Sequence, residues 1–169
     1  SLTLGANIEY VTLLASGLTG TGNGLANIMY GSTGSDTFRG LGGNDTLKGY
    51  GGNDRYEFGA GDGQDTVDDA AGTTDVLAFL SGINHDQLWF SNVGNDLVVS
   101  VIGTTDKVTV KGWVSSSANR VEEIRTAEGA ENLLLSGNVA ALVTAIDDAT
   151  NAALRKNADL LRQNTTEIA

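Results

Sequence analysis

The chain has 169 residues, 23 of them Gly, with no Pro and no Cys, and 10 basic residues set against 21 acidic ones leave a formal net charge of −11. Without Cys there is no disulfide framework and no thiolate metal site, and abundant Gly without Pro argues against collagen-like or Pro-rich chains. The acidic balance, with a pI near 4.2, excludes nucleic acid or an anionic membrane as the main partner and favours cations; no apolar run approaches the roughly 18–20 residues of a membrane span.

The chain starts at Ser1, and residues 1–26 show no basic region ahead of an apolar stretch, so no amino-terminal export signal of the usual kind is read there. The sequence is read as a piece of something longer.

A nine-residue repeat organises the first half. Gly31–Arg39 reads GSTGSDTFR, Gly40–Lys48 reads GLGGNDTLK and Gly49–Glu57 reads GYGGNDRYE, with a degenerate copy, GNGLANIMY, at Gly22–Tyr30. Asn27, Asp36, Asp45 and Asp54 recur on this beat, as do Met29, Phe38, Leu47 and Tyr56. Each unit divides into a Gly/Asn/Asp-rich turn and a three-residue strand whose middle residue is its one large apolar group. Side chains alternate along a strand, so stacked units would bury Met29, Phe38, Leu47 and Tyr56 together and turn Thr37, Thr46, Lys48 and Glu57 to water. A single unit buries nothing; stacking makes the core. After Glu57 the beat stretches, and Asp65 follows Asp54 by eleven residues.

Rows of Asp at one height repel unless a cation lies between them. Hard oxygen ligands without His or Cys select Ca²⁺ or Mg²⁺ over zinc or copper, and many flexible carbonyl ligands favour Ca²⁺.

From Asp75 onward apolar and polar residues alternate. Strands are predicted over 87–93, 96–103, 106–114 and 120–129, separated by GND, GTTD and SSSAN turns, and together they read as an antiparallel meander closing the open edge of the stack. Asn138 is placed to cap a helix running to about Gln163. His85, the one His, reads as a solvated turn residue, and Trp89 and Trp113 as core of the closing segment. Asp68 and Asp69 read equally as an extension of a cation site or as a solvated turn. No nucleophile elbow, phosphate loop or zinc-binding helix motif is present, so no catalytic residue is assigned and the chain is not read as an enzyme.

The repeats resemble the RTX nonapeptide G-G-x-G-x-D-x-U-x, a calcium-binding repeat, over about residues 17–79. DQLWF, NDLVVSV, DKVTVKGW and VEEIRTAEG are similar to the haemolysin-type calcium-binding related segment that follows such repeats. The motif's second Gly is replaced by Ser32, Leu41 and Tyr50; a carbonyl rather than a missing side chain is taken to be what matters there.

The resemblance implies a mainly β protein: a right-handed parallel β-roll with its lead-in strands over 1–79, a small antiparallel β cap over 80–136 and a C-terminal helix over 137–169 that could serve as a type I secretion signal. Several Ca²⁺ ions would lie between turns two repeats apart. The family pattern would assign one site to Ser32, Gly34 and Asp36 with Gly49, Gly51 and Asp54. A second, weakened by the uncharged Asn27, would use Asn23, Leu25 and Asn27 with Gly40, Gly42 and Asp45. A third would use Leu41, Gly43 and Asp45 with Gly59, Gly61 and either Asp62 or Asp65.

The function implied is a module that folds on calcium after export and serves secretion and stability of a larger extracellular protein. Its expected partners are calcium, type I secretion machinery and the rest of a parent polypeptide, with no nucleic acid and no membrane insertion. An adhesive or surface-layer module, and the non-catalytic tail of an exported lipase or protease, are the alternatives. The expected location is extracellular or at the cell surface.

Overall fold

The computed structural model describes residues 1–127 and the strand at Leu133–Ser136; the predicted helix and export signal lie outside the described residues. The chain coils so that successive short strands fall alternately on two sheets. One sheet holds β1 (Leu2–Thr3), β3 (Thr19–Thr21), β5 (Thr37–Arg39), β7 (Arg55–Phe58), β9 (Val76–Phe79), β13 (Glu123–Thr126) and β14 (Leu133–Ser136), in that order. Across from it lie β2 (Tyr10–Thr12), β4 (Ile28–Tyr30), β6 (Thr46–Lys48), β8 (Gln64–Val67), β12 (Lys107–Val110), β11 (Asp96–Val101) and β10 (Leu88–Val93). Neighbours are parallel from β1 to β13 and from β2 to β12. Strands one repeat apart face each other, and strands two repeats apart pair.

The fixed apolar offset produces the core directly. Phe38 pairs in register with Tyr56 and Tyr56 with Leu77 on one sheet; Met29 pairs with Leu47 and Leu47 with Val67 on the other. All are at most 2% exposed. The Phe38 and Tyr56 rings stack with centroids 5.4 Å apart. Gly20 occupies the rung next to Phe38, and the Met29 terminal methyl fills the space, lying 2.8 Å from where a Cβ would be. Flexible, unbranched Met suits such a gap. The roll also begins earlier than the nonapeptides: β1 and β2 already pair with β3 and β4.

The closing segment is only partly a meander. β10, β11 and β12 are antiparallel to one another, and β14 is antiparallel to β13. Yet β12 and β13 join β8 and β9 in parallel and extend the roll, so one continuous core runs from Val11 to Ile124. Trp113 is buried there, in a turn after β12 rather than in a strand. Trp89 departs from the sequence expectation: it lies on the edge strand β10 and is 47% exposed, because alternation along β10 puts Leu88 inward instead.

The second motif position is also corrected. Leu41 and Tyr50 have φ of 67° and 71°, in the left-handed region, whereas Ser32 does not. The missing side chain therefore matters at that position in two of the three turns. A non-Gly residue there costs roughly 1–2 kcal/mol, partly offset by the 0.5–1 kcal/mol or so that Gly loses through its freedom in the unfolded chain. Leu41→Gly is expected to lower the calcium concentration needed for folding. Ser32→Gly should raise it, since the Ser32 hydroxyl donates to Asp36 Oδ2 at 2.9 Å. Paired calcium titrations of the two variants check the opposite signs.

Candidate metal centre

Turns stack along both edges of the roll, and each stack carries a column of carboxylates. On one edge Asp36, Asp54 and Asp75 follow one another, each tied to the next by a main-chain bond. Asp36 N–H donates to Asp54 Oδ1 at 2.7 Å and Asp54 N–H to Asp75 Oδ1 at 2.7 Å. The column ends in Leu18 N–H, which donates to Asp36 Oδ1, and in Glu122, which accepts from Asp75 N–H. On the other edge Asn27 N–H donates to Asp45 Oδ1 at 2.7 Å and Asp45 N–H to Asp65 Oδ1 at 2.9 Å. Val108 takes the next rung and ends that column.

Each rung therefore uses one carboxylate oxygen. Among the described residues, the other oxygen is buried without a hydrogen-bond partner in Asp45, Asp54, Asp69 and Asp75. Asp36, Asp45, Asp54, Asp65, Asp69 and Asp75 are all at most 3% exposed. An orphaned buried acceptor costs about 1–3 kcal/mol, and more when charged. Buried in this way, the carboxyls resist ionisation. Burial pushes Asp45 and Asp54 up to about 6 and Asp65 up to about 8. Burial also raises Asp62, Asp69 and Asp75, with neighbouring carboxylates adding to the shift. A divalent cation would reverse this by stabilising the ionised form. The available donors are carboxylate and main-chain oxygens, with no sulfur or imidazole in the columns, which fits Ca²⁺.

Each pair of turns singled out in the sequence is brought together. The turn of Ser32, Gly34 and Asp36 stacks on that of Gly49, Gly51 and Asp54, with a Cβ at Gly31 falling 2.5 Å from the Gly49 carbonyl oxygen. The turn of Asn23, Leu25 and Asn27 stacks on that of Gly40, Gly42 and Asp45. That of Leu41, Gly43 and Asp45 stacks on the longer turn of Gly59, Gly61, Asp62 and Asp65. Asp65, not Asp62, continues the column. Asp62 accepts the Gly59 N–H at 2.6 Å and lies near Asp106, which accepts the Gly61 N–H at 2.7 Å. Asn27 keeps the rung, but where the Asp residues of the columns accept a main-chain N–H through Oδ1, its side-chain amide donates to the Ile8 carbonyl at 3.1 Å.

Asp75, Glu122 and Asp106 belong to this surround although the sequence reading gave them no ligand role. Asp69 is no solvated turn residue, being 1% exposed, whereas Asp68 lies at the surface, 3.1 Å from Lys48 Nζ. His85 is exposed in a short 3₁₀ turn, as read from the sequence.

A parallel β-roll with carboxylate columns at its stacked Gly-rich turns defines a calcium-binding repeat module. Residues 30–67 match the RTX calcium-binding nonapeptide repeat, and residues 96–131 match the haemolysin-type calcium binding protein related domain. Within these two segments the chain carries calcium-binding repeats of the RTX haemolysin type and their associated domain. It is similar to the iron-regulated protein FrpA of Neisseria meningitidis serogroup C, 40% identical over 80 residues; the match covers 44% of this chain and 7% of that relative.

Proposed function

We propose that this chain is a calcium-triggered folding module of a larger exported protein, disordered where calcium is scarce and folded once outside the cell. The observation that carries the reading is the set of buried carboxylate oxygens without partners in Asp45, Asp54, Asp69 and Asp75. No disulfide helps to hold the fold, since the chain has no Cys, and a cation between turns supplies what the protein's own groups leave open. Extracellular calcium modules bind at about 10⁻⁴–10⁻³ M, so the cytosol would leave the acidic repeats unfolded and the exterior would fold them. Metal binding and folding are then one equilibrium. Three of the ions fall to the three stacked turn pairs described above, with Asp45 serving the turns on both sides of it.

In this reading residues 137–169 carry the type I export signal, and the roll stabilises the parent polypeptide after passage. The test joins a passenger domain ahead of the chain in a cell with a type I exporter. Removing residues 137–169 is expected to abolish appearance of the passenger in the medium while leaving calcium-dependent folding of residues 1–136 intact. Undiminished export of the truncated fusion would remove the export half of the proposal.

A further inference from the structure

The turn leading into β9 departs from the nonapeptide at its first position. Leu47 pairs with Val67, so two residues further on Asp69 stands where the turn before has Gly49. The added side chain is not sent to solvent. Asp69 is 1% exposed, and one of its carboxylate oxygens lies within 4.8 Å of one from Asp54 and one from Asp75, which are themselves 1% and 0% exposed. One oxygen of each is occupied: Asp54 Oδ1 by Asp36 N–H, Asp75 Oδ1 by Asp54 N–H, and Asp69 Oδ1 by Ala70 N–H at 2.8 Å. The Oδ2 atoms of all three are buried and have no hydrogen bond of normal geometry among the described residues.

A fourth buried group, not a carboxylate, faces the same place. The Tyr56 hydroxyl belongs to a side chain 1% exposed; it interacts with the Asp69 carboxylate and has no hydrogen bond of normal geometry among the described residues. A Cβ built on Gly49 would lie 2.1 Å from that hydroxyl and 2.3 Å from Asp54 Oδ2, so the two oxygens flank one point. Beside Asp75, a Cβ on Gly72 would lie 1.9 Å from Asp75 Oδ2 and 2.5 Å from the Gly52 carbonyl oxygen. Lys48, the base at the end of the neighbouring strand, is engaged with Asp68 at the surface. Three carboxylates shielded from water, a hydroxyl and a carbonyl thus converge, and among the described residues no ion pair to them is made.

We infer that Asp54, Asp69 and Asp75, with the Tyr56 hydroxyl and the Gly52 carbonyl, form a calcium site in which Asp69 supplies a third carboxylate in place of the repeat's leading glycine, and that this site is the tightest in the roll. The inference rests on the calcium reading above. A repeat site draws two carboxylates from its two turns, and calcium affinity rises with ligand charge and with rigidity. The enclosure selects against Mg²⁺, which keeps several of its waters.

Calcium titration calorimetry of the whole chain tests this, comparing the wild type with Asp69→Asn and with Asp68→Asn at the surface. The wild type and Asp68→Asn are expected to share a tight class of site. Asp69→Asn should lose one ion from that class or weaken it at least tenfold, while the other ions still bind. An Asp69→Asn chain that binds as many ions as tightly as the wild type overturns the inference but leaves the calcium reading standing; a wild type that takes up no calcium overturns both. Should Asp69→Asn fail to fold in calcium, Tyr56→Phe decides, with terbium as the probe. Emission excited through tyrosine is expected to fall severalfold for the first terbium bound in Tyr56→Phe. Unchanged emission overturns the site.

Discussion

Leu47→Ala is expected to move the calcium midpoint for folding to markedly higher concentration without touching a ligand. Leu47 sits in β6 between Met29 and Val67 on the same sheet and is 2% exposed. Truncating such a Leu costs about 2–5 kcal/mol, through lost transfer energy and the cavity left behind. Folding and ion binding are linked, so the cost must be made up by a higher free calcium concentration, about 1.4 kcal/mol for each factor of ten and each ion taken up. Thr46→Ala, one residue earlier, removes a half-buried outward-facing side chain paired with Ile28 and Thr66. It should shift the midpoint far less. Equal shifts in the two variants would mean that the apolar beat is not a core.

The second large effect is folding by acid in the absence of calcium. In the ion-free fold the buried carboxyls resist ionisation, with Asp45 and Asp54 near 6 and Asp65 near 8 against an ordinary 3.8. Between these values the folded chain binds more protons than the unfolded one, so stability falls as pH rises. The stabilisation is fully present below about pH 3.8 and is lost as pH rises through 6 towards 8. In chelator, lowering the pH from 8 to about 4.5 is therefore expected to raise β content, with protons neutralising the columns. At pH 8 only calcium should do so. A calcium-free chain whose far-UV circular dichroism is the same at both pH values would show that the carboxylates do not oppose folding.

Much of the roll could be read from the sequence because its physics is local and periodic. An apolar residue at a fixed offset after each turn can only mean stacked strands with one shared face, and Met29, Phe38, Leu47 and Tyr56 lie where that argument places them. The pairing of turns two repeats apart came from the family resemblance, and the alternation of strands between two sheets reproduces it. What escaped depends on register beyond the regular repeats. The long turn at Gly59–Asp65 absorbs two extra residues, and only the pairing of Leu47 with Val67 shows that Asp65 holds the rung. Glu122, in the bend just before β13, enters the column from 47 residues beyond Asp75, a contact that no nonapeptide announces. Asp69 looked like half of an ordinary acidic pair, because sequence does not say which of two adjacent side chains turns inward. The left-handed backbone of Leu41 and Tyr50 was hidden in the same way, since the residues themselves give no sign of tolerated strain.

The central claim is that the carboxylate columns make calcium a part of the fold, and far-UV circular dichroism at pH 8 tests it most directly. The chain in chelator should give a largely disordered spectrum. Calcium added to the millimolar range should convert it cooperatively to a β-rich one, while magnesium at equal concentration does much less. A spectrum that is β-rich in chelator at this pH and unchanged by calcium would contradict the account.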